Sequence, residues 1–118
     1  MEREQGTGVD RTDEERVAIN ESRLRTVNEA IERGLRSHDE PIGFICECGR
    51  LRCTEILELR HADYEAVRGN PRRFVVVDGH QTQVDETVER HADYAVVVKR
   101  GAAGAVAEAL DPRKDGGA

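Results

Sequence analysis

All three cysteines of the chain lie in one stretch of ten residues, FICECGRLRC, residues 44 to 53. This clustering constrains the fold more than any other feature. An odd number of thiols cannot pair completely within one chain, and clustered thiols in a reducing compartment serve more often as metal ligands than as disulfides. Thiolates that share one zinc ion must converge to about 2.3 Å from it. Cys46 and Cys48 are two apart, and a tight turn at Gly49 can fold Cys53 back towards them. The spacing therefore predicts a cysteine-rich metal knuckle that the rest of the chain must be built around.

The composition makes such a staple useful. A chain of 118 residues buries a modest core, and this one is 37% apolar and 36% charged, with two Tyr, two Phe and no Trp. Small cores of this kind gain from a bound metal. Eighteen basic against 24 acidic residues give a net charge of −6. That argues against broad attraction to nucleic acid or to anionic lipid. No apolar run approaches the roughly 20 residues of a membrane span. The segment MEREQGTGVDRTDEER has no apolar signal-peptide region, and the reading is a cytoplasmic protein.

Along the chain, residues 1–11 read as a disordered N-terminal segment, 12–110 as a single α+β metal-binding domain, and 111–118 as a flexible tail. Thr12 and Glu15 form a capping-box pattern. Val17, Leu24, Val27, Ile31 and Leu35 then recur at helical spacing and predict a long helix with these residues on its inner face. It ends before Pro41. IGFIC, TEILELR, RFVVVD and YAVVVK read as strands, and VDETVERHAD as a short polar strand or irregular segment. HADYEAVR and AAGAVAEAL read as short helices. The fold class expected is α+β: a long N-terminal helix on a small, mainly antiparallel sheet. The pentapeptide RHADY occurs at Arg60–Tyr64 and at Arg90–Tyr94, but its flanks differ, and the match reads as coincidence.

A fourth ligand must come from elsewhere, and the chain offers His38, His61, His80 and His91. His80 follows the Asp78-Gly79 turn at the end of a strong strand, a suitable platform for a ligand aimed at a neighbouring turn. His61, at a helix start, is the rival. His38 and His91 lie in polar segments and read as surface residues. Glu47, between two ligands, reads as a solvated side chain pointing away from the metal, and Arg50 and Arg52 as exposed tips of the loop.

NEAIER, FICECGRLRC, DYEAVRGNPRRFVVVDGH, YAVVVKRG and DPR resemble a family of short actinobacterial proteins with a C-E-C-x4-C segment and a downstream Gly-His. The resemblance spans about residues 17 to 113, with Cys46, Glu47, Cys48, Cys53, Tyr64, Glu65, Val67, Arg68, Phe74, Val76, Gly79 and His80 matching its pattern. Asp78 stands where the family has Pro, and Arg60 where it has a capping Thr or Ser. The resemblance implies a shared fold and a shared Cys3His site, and carries no activity with it.

The ligand set expected is Cys46, Cys48, Cys53 and His80 on one zinc ion. Four protein ligands close a tetrahedral site, which marks it as structural rather than catalytic. No P-loop, G-x-S-x-G or H-E-x-x-H motif is present. The expected function is a protein-interaction module stapled by zinc, with no enzymatic activity. A thiol-based redox or metal sensor is the alternative. A 2Fe-2S cluster is a lesser one, because its short C-x-C type needs a cysteine beside the histidine and VVVDGH has none. A nucleic-acid-binding zinc knuckle would draw on Arg50, Arg52, Arg68, Arg72 and Arg73, but stacking aromatics are scarce.

Overall fold

The computed structural model describes residues 13–35, 40–50, 52–82 and 85–113. Its elements in chain order are α1 (Asp13–Leu35), β1 (Ile42–Ile45), β2 (Ile56–Leu59), α2 (His61–Arg68), β3 (Arg73–Val76), β4 (Asp85–Arg90), β5 (Ala95–Lys99) and α3 (Gly101–Ala109). This is the α+β arrangement the sequence implies. Thr12, His38 and the expected N-terminal segment lie outside the described residues. Among the described residues no helix is long and apolar enough to cross a membrane.

The strands form two antiparallel sheets. β1 and β2 make a hairpin-like pair with Phe44 opposite Leu57. The other sheet has the order β3-β5-β4. The segment that leaves β1 links them: Cys46 N–H donates to the Glu55 carbonyl at 3.0 Å, and Glu47 N–H donates to the Val75 carbonyl at 2.9 Å. The cysteine segment thus covers the outer edge of β3.

The strand chemistry follows position. Central β5 carries an apolar run over residues 95–98 because both its faces are covered, and Ala95, Val96 and Val97 are fully buried. β4 is the edge. Its sequence DETVER is largely exposed, and its register breaks between Thr87 and Glu89, both ways of blunting an open edge. Phe44 and Tyr64 stack with ring centroids 4.3 Å apart, tying α2 to β1. The two RHADY copies differ as their flanks suggest: one opens α2, the other ends β4 and enters a bend.

The inner face of α1 departs from expectation. Val27 and Leu35 are exposed, and the buried positions are Ala18, Glu21, Ser22, Arg25, Asn28, Glu29 and Glu32. These also recur at helical spacing, so the periodicity is right while the face is rotated. The reason is that each of the larger polar groups has a partner waiting. Arg25 lies 4.3 Å over the Phe74 ring and donates to the carbonyls of Pro71 at 2.5 Å and Ala107 at 2.8 Å. Glu21 takes Lys99 Nζ at 2.5 Å. Glu29 accepts from Tyr64 Oη at 2.7 Å, Arg68 Nε at 3.1 Å and Arg113 Nε at 2.6 Å. Buried polar groups are tolerated when bonded in this way.

The last contact also bears on the tail. The flexible tail was expected from residue 111, yet Asp111 pairs with buried Arg68, and Arg113 with Glu29 and Glu65. DPR is therefore held to the body by charge, with no apolar residue to signal it.

Candidate metal centre

Each sulfur is placed by a backbone device. Just past the end of β1, the Cys46 and Cys48 sulfurs join one group while Glu47 between them turns to Asn28 and Val75. Gly49 then turns the chain at φ 75°, a conformation L side chains rarely adopt. A Cβ there would come within 2.9 Å of Glu21 Cγ and 3.3 Å of the Val17 carbonyl, because α1 packs directly on the turn. Cys53 N–H donates to the Arg50 carbonyl at 3.2 Å and closes the knuckle. His80 arrives from the other sheet. Gly79, at φ 106°, turns the chain after β3, and His80 N–H returns to the Val77 carbonyl at 2.9 Å.

The result is convergence. One ligand atom from each of Cys46, Cys48, Cys53 and His80 lies within 4.8 Å of all the others. His80 Nδ1 is 3.7 Å from Cys46 Sγ and 3.6 Å from Cys53 Sγ. A tetrahedron with metal–sulfur bonds of about 2.3 Å and a metal–nitrogen bond of about 2.0 Å has sulfur–nitrogen edges of roughly 3.6 Å. The four residues therefore stand close enough together to hold a metal ion. Two backbone groups add to the fit: Val77 N–H points at Cys46 Sγ at 3.2 Å, and Arg50 N–H at Cys48 Sγ at 3.4 Å. Donors of this kind stabilise thiolate over thiol.

Burial works in the other direction. Cys46 and Cys48 are almost wholly buried, and this desolvation pushes both thiols up from their ordinary range. An ion bearing positive charge reverses that balance, since a coordinating thiol is deprotonated outright. Cys53 and His80 are half-buried, so one side of the group faces solvent.

The other residues singled out from the sequence separate cleanly. His61 is not part of this group; it pairs with Glu32 and lies 4.0 Å from Glu65. His91 is exposed, stacks on Tyr94 and pairs with Glu89. Arg50 and Arg52 are exposed, and Arg50 Nη2 reaches the Gly79 carbonyl at 3.2 Å across the two turns. Arg68, Arg72 and Arg73 form no free basic patch, because they pair with Glu29 and Asp111, Glu108, and Glu89 respectively.

Glu47 overturns its expected role. It is 1% exposed, not solvated. Its Oε1 accepts Val75 N–H at 3.0 Å and its Oε2 accepts Asn28 Nδ2 at 2.8 Å. Burial raises its carboxyl to about 7, against the pull of these bonds. Asn28 in turn brackets Ile45: Nδ2 donates to the Ile45 carbonyl at 2.9 Å, and Oδ1 accepts its N–H at 2.8 Å. The signal for Glu47 was present in the C-x-C spacing itself. If both cysteines face the metal, an extended residue between them faces the body.

Compared with models of known protein families, with curated proteins and with solved structures, the chain matches none of them.

Proposed function

We propose that Cys46, Cys48, Cys53 and His80 hold one structural zinc ion, and that the zinc-stapled domain acts as a protein-interaction module without enzymatic activity. The observation that carries this reading is the mutual approach of the four ligand atoms to within 4.8 Å. Four protein ligands fill a tetrahedron and leave no position for a substrate or reactive water. The ion stitches three parts of the chain: the segment after β1, the turn before β2 and the turn after β3. Because a small core gains much from such a cross-link, metal binding and folding are coupled. The interaction role draws on exposed apolar side chains, Val27 and Leu35 on α1 and Ile56 on β2.

The test is metal analysis with an absorption spectrum on protein purified without added metal. Colourless protein carrying zinc that is lost in Cys53→Ser supports the reading. A brown protein with iron and acid-labile sulfide overturns it in favour of a 2Fe-2S cluster.

One observation favours a second reading, a thiol-based redox sensor. Cys53 is half-buried and packs at the solvent side of the group. A peroxide can reach it there. Its thiolate would attack one peroxide oxygen, release hydroxide and become a sulfenic acid. A neighbouring thiolate would then displace hydroxide to form a disulfide, and the zinc would leave. Zinc release in step with peroxide consumption, reversed by a dithiol, distinguishes this reading from an inert staple.

A further inference from the structure

A second group of metal-ligating side chains lies where α1 meets the start of α2. His61 and Glu65 are one turn apart on α2, and Glu32 faces them from α1. One ligand atom from each lies within 4.8 Å of the other two. His61 Nε2 pairs with Glu32 Oε2 and is 4.0 Å from Glu65 Oε2. The Glu32 side chain is 4% exposed, whereas those of His61 and Glu65 are 35% and 38% exposed. The group therefore has a buried floor and an open side.

The group sits in a wider network of ion pairs. Ion pairs join Glu29, Glu32, Glu65 and Asp111 to Arg68, Arg113 and His61 in one cluster. Both guanidiniums are spent on Glu29, Asp111 and Glu65. Among the described residues, Glu32 pairs with His61. A carboxylate this deeply buried needs a compensating charge.

We propose that Glu32, His61 and Glu65 bind a divalent transition-metal ion at this open side. One imidazole nitrogen and two carboxylate oxygens suit ions of the manganese-to-zinc range, in contrast to the soft thiolate group around Cys46. Three protein ligands leave the remaining positions to water. Arg113 does not block the site. It holds Glu65 through Oε1 at 3.0 Å and Oε2 at 2.6 Å, and a carboxylate has about four lone-pair sites, enough to bridge a guanidinium and a metal. The ion would also fix α1 against α2 through residues from both helices.

Manganese(II) is the probe, since it prefers oxygen and nitrogen donors and leaves thiolate-bound zinc in place. The full-length protein, with its zinc content measured beforehand, is titrated with manganese while the paramagnetic resonance signal of free ion is followed. The expected result is uptake of one ion per chain, weakened about tenfold or more in His61→Gln and in Glu65→Gln and unchanged in His91→Ala, at an exposed ring outside both groups. A second measurement needs no variant: bound manganese should broaden the amide resonances of Glu32, His61 and Glu65 before any others. Absence of uptake at millimolar manganese, uptake unaltered in both variants, or broadening centred elsewhere overturns the proposal. Zinc content at the cysteines is read separately, so failure here leaves that assignment standing.

Discussion

The side-chain amide of Asn28, in the middle of α1, donates to the carboxylate of Glu47 at 2.8 Å while bonding both backbone groups of Ile45. Glu47 stands between two cysteines of the candidate metal centre, so this contact couples the helix to the cysteine segment. Both Glu47 oxygens act as acceptors, one for Asn28 and one for Val75 N–H. Glutamine has the same shape but only one acceptor, so in Glu47→Gln an amide N–H must face another donor. We expect a loss of about 1–3 kcal/mol in urea unfolding together with weaker metal binding. A Glu47→Gln protein as stable as the wild type would remove Glu47 from the supporting structure of the site.

The two glycine turns should fail differently. At Gly49 a methyl group meets both a positive φ and the 2.9 Å approach of Glu21 Cγ, so Gly49→Ala should cost about 1–3 kcal/mol of stability even without metal. At Gly79 no atom lies within 4 Å of the added Cβ, and the cost is backbone strain alone. That strain is relieved by moving the turn that carries His80. Gly79→Ala should therefore lower metal affinity while leaving the metal-free melting temperature closer to wild type than Gly49→Ala does. Equal affinity in Gly79→Ala and wild type would show that this turn does not position the histidine.

The readable parts of the sequence were those in which one residue type had one use. Three cysteines within eight positions and a histidine after a strand-end glycine specified a meeting point, and the structure brings those four together. Apolar, β-branched runs mark four of the strands, whereas VDETVERHAD reads as either a short polar strand or an irregular segment, and the structure makes Asp85–Arg90 the polar edge strand. The inner face of α1 was not readable, because an isolated helix pattern assigns charged residues to water. Glu21, Arg25, Asn28, Glu29 and Glu32 are inside only because Lys99, Pro71, Ile45, Tyr64 and His61 meet them from distant parts of the chain. Pairings at such separations leave no local trace. Asp111 and Arg113 escaped for the same reason.

Lys99 illustrates how such pairs govern pH response. It is fully buried between Glu21 and Asp85, so one ammonium serves two carboxylates. Burial is the largest influence on Glu21, partly offset by Lys99 and reinforced by Asp85 and Glu47, and it raises the carboxyl to about 8. Its folded value thus lies above the ordinary 4.5, so the native state holds a proton that the unfolded chain has released. This contribution is full below the unfolded value and is lost as pH rises to the folded one. Glu21→Gln keeps an acceptor for Lys99 and has no proton to lose. Relative to wild type the variant should gain stability between about pH 5 and about pH 8, by an amount on the order of 4 kcal/mol. A wild-type-to-variant difference that stays constant across that range would refute the assignment.

His80 and His61 provide the sharpest separation, because each belongs to a different group of ligands. His80 Nδ1 lies 3.6–3.7 Å from two of the thiol sulfurs, while His61 faces Glu32 and Glu65. His80→Ala should lower zinc affinity by chelator competition and lower the melting temperature with it, since three thiolates alone leave the tetrahedron open. Lowering the pH should also weaken zinc binding in wild type, because the imidazole must be neutral and the thiols deprotonated to coordinate. His61→Ala should leave zinc affinity at the cysteines unchanged, and any loss of melting temperature should persist when the zinc is removed. His91→Ala, at an exposed ring, should change neither. If His80→Ala holds zinc as tightly as wild type, the fourth position is not protein-bound. The structural assignment then loses its main support, and a water or substrate on the metal becomes the species to look for.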